Sequence, residues 1–436
     1  LRLAVVSPLP PAASGIADYT ADLAALLAAR HELELFHGQA EVDAARFPNG
    51  VPLHSAEELE PRSRERPFDL VVHQLGNNHL HDFQYPLLSR VPGLLVLHEL
   101  VLHHARAARF LESDAVRAWR ASPGSVAARR AAEPMLEAWR AELEYAYPGR
   151  GDRLHAAHLG TVGDLLPYAY PLFRIPVEAS RAVAVHNRYM ADAVRNELPG
   201  TVVLQAPMPV SRLPVAAGAV RELRARLGFA DGDIVVGVFG LLTPEKRVAS
   251  VARAVAGAAR ENDRLRLLLV GPVLDEARLE ADLERSGVAN RSVVAGRVSL
   301  ADLALHIEAA DVVAHLRYPS ARETSAALLR VLAQGRPTVV SDLEHQAELP
   351  ADVVVKIGLA DEAAALQAAL ERLAGDAPLR DRLARAAAEY VAREHAPDRV
   401  ASAWDELLEK ARRAPVPAPR PGWPAHWPRP QAASER

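Results

Sequence analysis

Four stretches of the sequence gather residue types that could act on an anionic or polyhydroxylated ligand. Ser7-Pro-Leu-Pro-Pro-Ala-Ala-Ser-Gly-Ile-Ala-Asp-Tyr runs from a strand end into a helical pattern. Such a loop sets Gly15 and Ile16 at a helix N-terminus, where unpaired backbone N–H groups attract anions. A plain turn with Ser14 as the N-cap explains the same residues. Histidines 73, 79, 81, 98, 103 and 104 fall within 32 residues, in Val72-His-Gln-Leu-Gly-Asn-Asn-His-Leu-His-Asp and Leu97-His-Glu-Leu-Val-Leu-His-His. Imidazoles are common metal ligands, but no HExxH or comparable helical pair is present. A polar rim in which Asn77, Asn78 and the imidazoles meet hydroxyl groups is the stronger reading.

Two further stretches lie in the second half. Phe239-Gly-Leu-Leu-Thr-Pro-Glu-Lys-Arg puts Lys246 and Arg247 where a helix begins, so a cation and backbone N–H donors could face one anion. Surface charge is the alternative. His315-Leu-Arg-Tyr-Pro-Ser-Ala-Arg-Glu-Thr-Ser-Ala-Ala-Leu-Leu-Arg precedes Gly335-Arg-Pro. Glu323, Thr324 and Ser325 open a helix there, either as caps or as a carboxylate for hydroxyls beside N–H groups for phosphate.

These stretches need strands and helices to hold them. Short β-branched runs alternate with amphipathic helical patterns in two regions, which predicts an α/β protein with two parallel-sheet domains. Strands are expected at Leu1–Ser7, Leu33–His37, Leu70–His73, Leu94–His98 and Ala182–His186. A second set is expected at Ile234–Phe239, Leu265–Val270, Ser292–Ala295, Val312–Leu316, Thr338–Ser341 and Val353–Ile357. The domains are placed at 1–205, with a helical insertion at about 103–170, and at 206–395, joined by the Pro-rich Gln205–Val210. A terminal helix at 396–411 is expected to cross back to the first domain. Residues 412–436 hold seven prolines, five arginines and two tryptophans and read as a disordered tail, with a membrane-interface contact as the lesser alternative.

Composition narrows the chemistry. The 436 residues include no cysteine, which removes disulfides, thiolate metal sites and a cysteine nucleophile. Lys plus Arg number 51 against 55 for Asp plus Glu, so no overall basic field is available for nucleic acid, and any polyanion site must be local. A cytoplasmic location is the expectation, with peripheral contact at the inner face of a membrane. No stretch is long and apolar enough to span one, and the opening strand is too short for a signal peptide. At least one residue is expected to precede Leu1.

The early glycine loop, the strand-end lysine and the Glu-helix-Gly-x-Pro block resemble the family 4 retaining glycosyltransferases of the GT-B fold, over about residues 1–410 and most strongly over 234–357. The resemblance implies two Rossmann-like domains facing a central cleft. It implies transfer of a sugar from a nucleotide-diphosphate sugar to a glycan, lipid-linked sugar or small-molecule acceptor, as in polysaccharide biosynthesis, with no metal or other cofactor. Gly15 and Ile16 would lie against the donor diphosphate. His98 would sit by the donor sugar, Lys246 would neutralise the diphosphate and Glu323 would hold sugar hydroxyls. Thr324 and Ser325 would offer N–H groups to the phosphates, and Asn77, Asn78 and Arg317 would meet sugar or acceptor.

Some positions depart from the family's pattern. Gly240 is followed by Leu241 rather than arginine, a charge that Arg247 or Arg317 would have to supply. Arg330 replaces a second glutamate, Arg322 replaces a glycine, and Glu99 replaces an aspartate after His98. A sugar-nucleotide epimerase and a catalytically silent sugar-nucleotide or glycan-binding protein are the competing readings. Donor, base, acceptor and oligomeric state are not written in the sequence.

Overall fold

The computed structural model describes residues 1–160, 165–416, 418 and 420–430. The chain forms two compact units. The first comprises Leu1–Pro207, Ala321–Thr324 and the segment from Val400 onward; the second comprises Met208–Ser320 and Ser325–Arg399.

The first unit is built on strands β1 (Arg2–Val6), β2 (Glu32–His37), β3 (Leu53–Ser55), β4 (Leu70–Leu75), β5 (Leu94–Leu97), β6 (Ala182–Val185) and β7 (Val203–Gln205). They pair in parallel in the order β3-β2-β1-β4-β5-β6-β7. The second unit has β8 (Ile234–Phe239), β9 (Leu265–Val270), β10 (Ser292–Gly296), β11 (Val312–His315), β12 (Thr338–Ser341) and β13 (Val355–Ile357). Their order is β10-β9-β8-β11-β12-β13, again parallel.

Central strands such as β1 and β4 are buried at every residue. That is why they read as continuous apolar runs rather than alternating ones. Helices cover them: Gly15–Ala28 turns Ala17, Tyr19, Leu23, Ala24 and Leu27 inward at helical spacing. In each sheet the chain order reverses beside the first strand, between β1 and β4 and between β8 and β11. Ligands of open α/β sheets bind beyond the carboxyl ends of the strands at such points.

β3 and β7 are strands that the sequence reading did not place. Both are three residues long and lie at the edges of the sheet, where few apolar neighbours mark them. Between β5 and β6 the described part of the insertion is helical, at His103–Leu111, Asp114–Ala121, Val126–Ala146, Gly151–Leu159 and Leu166–Ala169; residues 161–164 of the expected insertion lie outside the described residues.

The expectation of a disordered tail is corrected for 420–430. Trp423 and Trp427 are 6% and 4% exposed and join the core cluster of β4, β5 and β6. Trp427 Nε1 donates to Glu142 Oε1 at 2.6 Å and Trp423 Nε1 to the carbonyl of Trp427 at 3.2 Å. Two large apolar rings outweigh the proline content that suggested disorder, and their burial removes them as membrane-interface anchors. Residues 431–436 of the expected tail lie outside the described residues. Among the described residues no helix is long and apolar enough to cross a membrane.

Candidate active site

In the first unit the switch point gathers several of the expected residues. His98, immediately after β5, is buried, and both ring nitrogens are engaged. Nε2 bonds the side-chain oxygen of Gln74 at 2.7 Å, and Nδ1 bonds Nε2 of His186 at 3.1 Å. His186 Nδ1–H donates to the carbonyl of Ala206 at 2.8 Å. Tyr19, in the second turn of helix Gly15–Ala28, stands edge-on to both imidazoles, at 4.8 and 5.3 Å. Burial first, then His186 and His81, holds the His98 ring well below the usual imidazole range and therefore neutral. Histidines 73 and 81 are also buried and bonded to carbonyls, of Val91 and Gln74. Among the described residues no three acidic or imidazole side chains form a metal-ligand group.

The helix start expected to hold an anion is present. Gly15 is exposed, and the N–H of Ile16 is met by Ser14 Oγ at 3.2 Å. Ile16 reaches across to Gly76, where a Cβ would come within 2.2 Å of its Cδ1 and force that side chain to move.

Ala321–Thr324 is counted in the first unit, and specific bonds fix it there. The N–H of Leu100, two residues beyond His98, donates to Ala321 O at 3.0 Å. Asn187, next to His186, donates Nδ2 to Arg322 O at 2.9 Å and to Thr324 Oγ1 at 3.0 Å. The Glu323 loop thus lies against the strand ends that carry His98 and His186. Arg322 has φ 67°, in the left-handed region, which explains why a glycine would suit this position; its Nη1 donates to Tyr168 O at 3.1 Å. Asn187 also caps its own helix through the N–H of Met190. Replacing Asn187 by alanine is expected to lower stability by about 1–2 kcal/mol, the scale of a lost N-cap. Thermal unfolding measures that loss, and faster proteolytic nicking at 321–324 reports release of the loop.

Asn77 and Asn78 have local tasks instead of open faces. Asn77 Oδ1 accepts from the N–H of Ala105 at 2.8 Å and its Nδ2 meets His104, so it fastens the start of the insertion. Asn78 Oδ1 caps the turn at Leu80.

In the second unit Lys246 is 3% exposed, and its Nζ donates to the carbonyl of Phe239, the last residue of β8, at 3.1 Å. A Cβ on Gly240 would lie 3.5 Å from that Nζ and 3.7 Å from Ala327 Cβ. The ammonium therefore sits between the end of β8 and the first turn of helix Ala326–Ala333. Ser325 caps that helix, accepting from the N–H of Leu328 at 3.3 Å. Gly240 and Gly271 have positive φ, and a Cβ on Gly271 would strike the Gly240 carbonyl at 2.0 Å. Glycine at 271 thus lets the two strand ends meet backbone to backbone.

Arg247, expected as a second diphosphate cation, has another partner. Its φ of 58° turns the chain into helix Val248–Ala258, and its Nε donates to buried Glu362 at 3.0 Å. Arg317 follows β11, its N–H bonded to Ser341 Oγ at 3.0 Å.

A buried cation, a helix N-terminus and close glycines thus gather at a switch point. Residues 233–376, which hold all of these, match the family described as glycosyl transferases group 1. The second unit carries a group 1 glycosyltransferase domain. No curated protein matches the chain by sequence. Solved structures match it over nearly their whole length. HepE of Anabaena, solved with UDP and glucose, is 14% identical with a TM-score of 0.64, covering 94% of this chain and 99% of that one. Sucrose-phosphate synthase of Thermosynechococcus elongatus is 16% identical with a TM-score of 0.62, covering 94% and 98%. WaaG, a glycosyltransferase of lipopolysaccharide biosynthesis, is 15% identical with a TM-score of 0.59, covering 92% and 98%. The likeness places this chain in the GT-B fold.

Sequence reasoning missed Asn187, Gln74, Tyr19 and His186. Each sits beyond or beside a strand end, but nothing in its neighbours in sequence distinguishes it from an ordinary cap or core residue.

Proposed function

We propose that the chain transfers a sugar from a nucleotide-diphosphate sugar to a glycan, lipid-linked or small-molecule acceptor, with retention of configuration. The observation that carries this reading is the buried Lys246 ammonium at the end of β8, beside the N-terminal turn of helix Ala326–Ala333, inside the matched domain. Cleaving a sugar–diphosphate bond builds negative charge on the leaving group, and a fixed cation with aligned N–H donors stabilises that charge. Gly15, Ile16, Thr324 and Ser325 supply further donors in this reading, and Arg317 a further cation. Glu323 holds sugar hydroxyls and His98 packs by the sugar. With the leaving group neutralised by the protein, the reading calls for no metal and no other cofactor. That HepE was solved with UDP and glucose supports a nucleoside diphosphate as the ligand class. A cytoplasmic role in polysaccharide assembly, at or near a membrane face, belongs to the same proposal.

The test is a thermal-shift screen with UDP-, GDP-, ADP- and TDP-sugars. A donor at 100 times its dissociation constant stabilises the protein by about 2.7 kcal/mol; no shift with any of them counts against the reading. With a donor in hand, nucleotide release on adding acceptor is expected to fall 10-fold or more in Glu323→Ala, since hydrogen bonds to a charged group contribute about 1.5–3 kcal/mol. Release that needs no acceptor and yields epimerised donor would favour an epimerase instead.

A further inference from the structure

His315, the last residue of β11, has no role in the site as described so far. The side chain is 1% exposed, and its Nε2 is buried without a hydrogen-bond partner. Buried polar groups in folded proteins are nearly always bonded, and one left alone carries a desolvation penalty that valine at the same place would not. The neighbours along the strand are Val312, Val313 and Ala314, so the position is otherwise apolar.

The register locates this imidazole. Val313 pairs with Gly237 of β8, and two residues further on His315 comes beside Phe239, whose carbonyl holds the Lys246 ammonium. Val313, two residues back and on the same face, packs with Phe239 and with Val331 of helix Ala326–Ala333. His315 therefore lies at the β8–β11 switch point, on the face where the ammonium meets the first turn of that helix. The charged and titratable groups facing it come from three elements: Lys246 from the turn Pro244–Lys246, Arg317 from the segment after β11, and His345 from the turn Glu344–Glu348. Burial first, then these groups, keeps the ring neutral in the free protein. A cationic surround repels a metal ion and attracts an anion, and a neutral imidazole still has an N–H to donate.

We propose that His315 is a phosphate-binding residue, donating its imidazole N–H to the diphosphate of the bound nucleotide beside Lys246. The inference rests on the proposed donor class. An anion there gives the orphaned ring nitrogen its partner.

Calorimetry on the full chain with UDP, GDP, ADP, TDP and inorganic pyrophosphate tests it. His315→Leu keeps apolar bulk and removes the donor, and is expected to weaken nucleoside diphosphate and pyrophosphate binding by about 10- to 100-fold. Its melting temperature should equal or exceed that of the parent. His315→Gln, which restores an N–H, should recover part of the affinity. If the parent binds, Lys246→Ala abolishes binding and a folded His315→Leu binds like the parent, this inference falls while the donor reading stands. If the parent binds none of the five ligands, both fall. Should His315→Leu not fold, the imidazole nitrogen signal of the parent, assigned by its loss in His315→Gln, decides: it must move on adding pyrophosphate, and a fixed signal overturns the proposal.

Discussion

Glu142→Ala is expected to destabilise the first unit by about 3–5 kcal/mol, the cost of leaving one partner of a buried ion pair uncompensated. Glu142 is 2% exposed and lies in helix Val126–Ala146. It accepts from both Nε and Nη2 of buried Arg106, from Trp427 Nε1, and from His426 Nε2 at 2.8 Å. The guanidinium lies over the ring of Tyr85 at 4.1 Å, with Phe110 and Trp427 also within cation–π range. Removing the carboxylate strands a charge that has no route to water. Burial alone would raise the Glu142 pKa, but Arg106 and the hydrogen bonds from His426 and Arg106 bring it down to about 2. A carboxylate with a depressed folded-state pKa contributes stability that is present above its unfolded value and lost as pH falls through the folded one. The acid limb of the stability curve between about pH 4.3 and 2 should therefore be steeper in the parent than in Glu142→Ala. Denaturant titrations across that window give both quantities. Equal stability at neutral pH would show that the ion pair contributes no more than its apolar surroundings.

Lys246→Ala is expected to lower turnover by about 10- to 150-fold, the range for losing a hydrogen bond to a charged group. The ammonium is held in place by the carbonyl of Phe239 before any ligand arrives, so its charge needs no reorganisation when the leaving group develops its own. An interaction that strengthens as charge builds acts on kcat more than on KM. Lys246→Arg should not fully restore activity, because a planar guanidinium does not reproduce the compact point charge of the ammonium held at the Phe239 carbonyl. Initial rates of nucleotide release under saturating and limiting donor separate the two constants. A variant that retains the parent's kcat would move the charge-stabilising role elsewhere.

The parts of the molecule legible in the sequence are those whose cause is local. β1 and β4 are buried along their length and β8 and β9 at all but one residue each, and helix Gly15–Ala28 carries its inward face at helical spacing, so both are written in consecutive residues. Lys246 stood out because glycine, lysine and helix start lie within a few positions of one another. Arg247 was misread for the opposite reason: its partner Glu362 is 115 residues away, and only the fold directs the side chain there. The tail was misread likewise. Proline content is a local property, whereas the burial of Trp423 and Trp427 depends on β4, β5 and helix Val126–Ala146 being there to receive them. Asn77 and Asn78 looked free because their partners, Ala105 and Leu80, are backbone groups that every sequence contains.

The first unit takes its residues from the beginning of the chain, from four residues beyond β11 and from the segment after Val400. A ribosome delivers these pieces far apart in time. The sheet β1–β7 is synthesised early, but the tryptophans that join its core, and two of the bonding partners of Glu142, His426 and Trp427, leave the exit tunnel only after the second unit. The second unit, nearly continuous from Met208 to Arg399, has all its strands before then. Synthesis order and completion order are therefore inverted: the half that is begun first is finished second, and until Trp423 and Trp427 arrive it presents an open apolar seam.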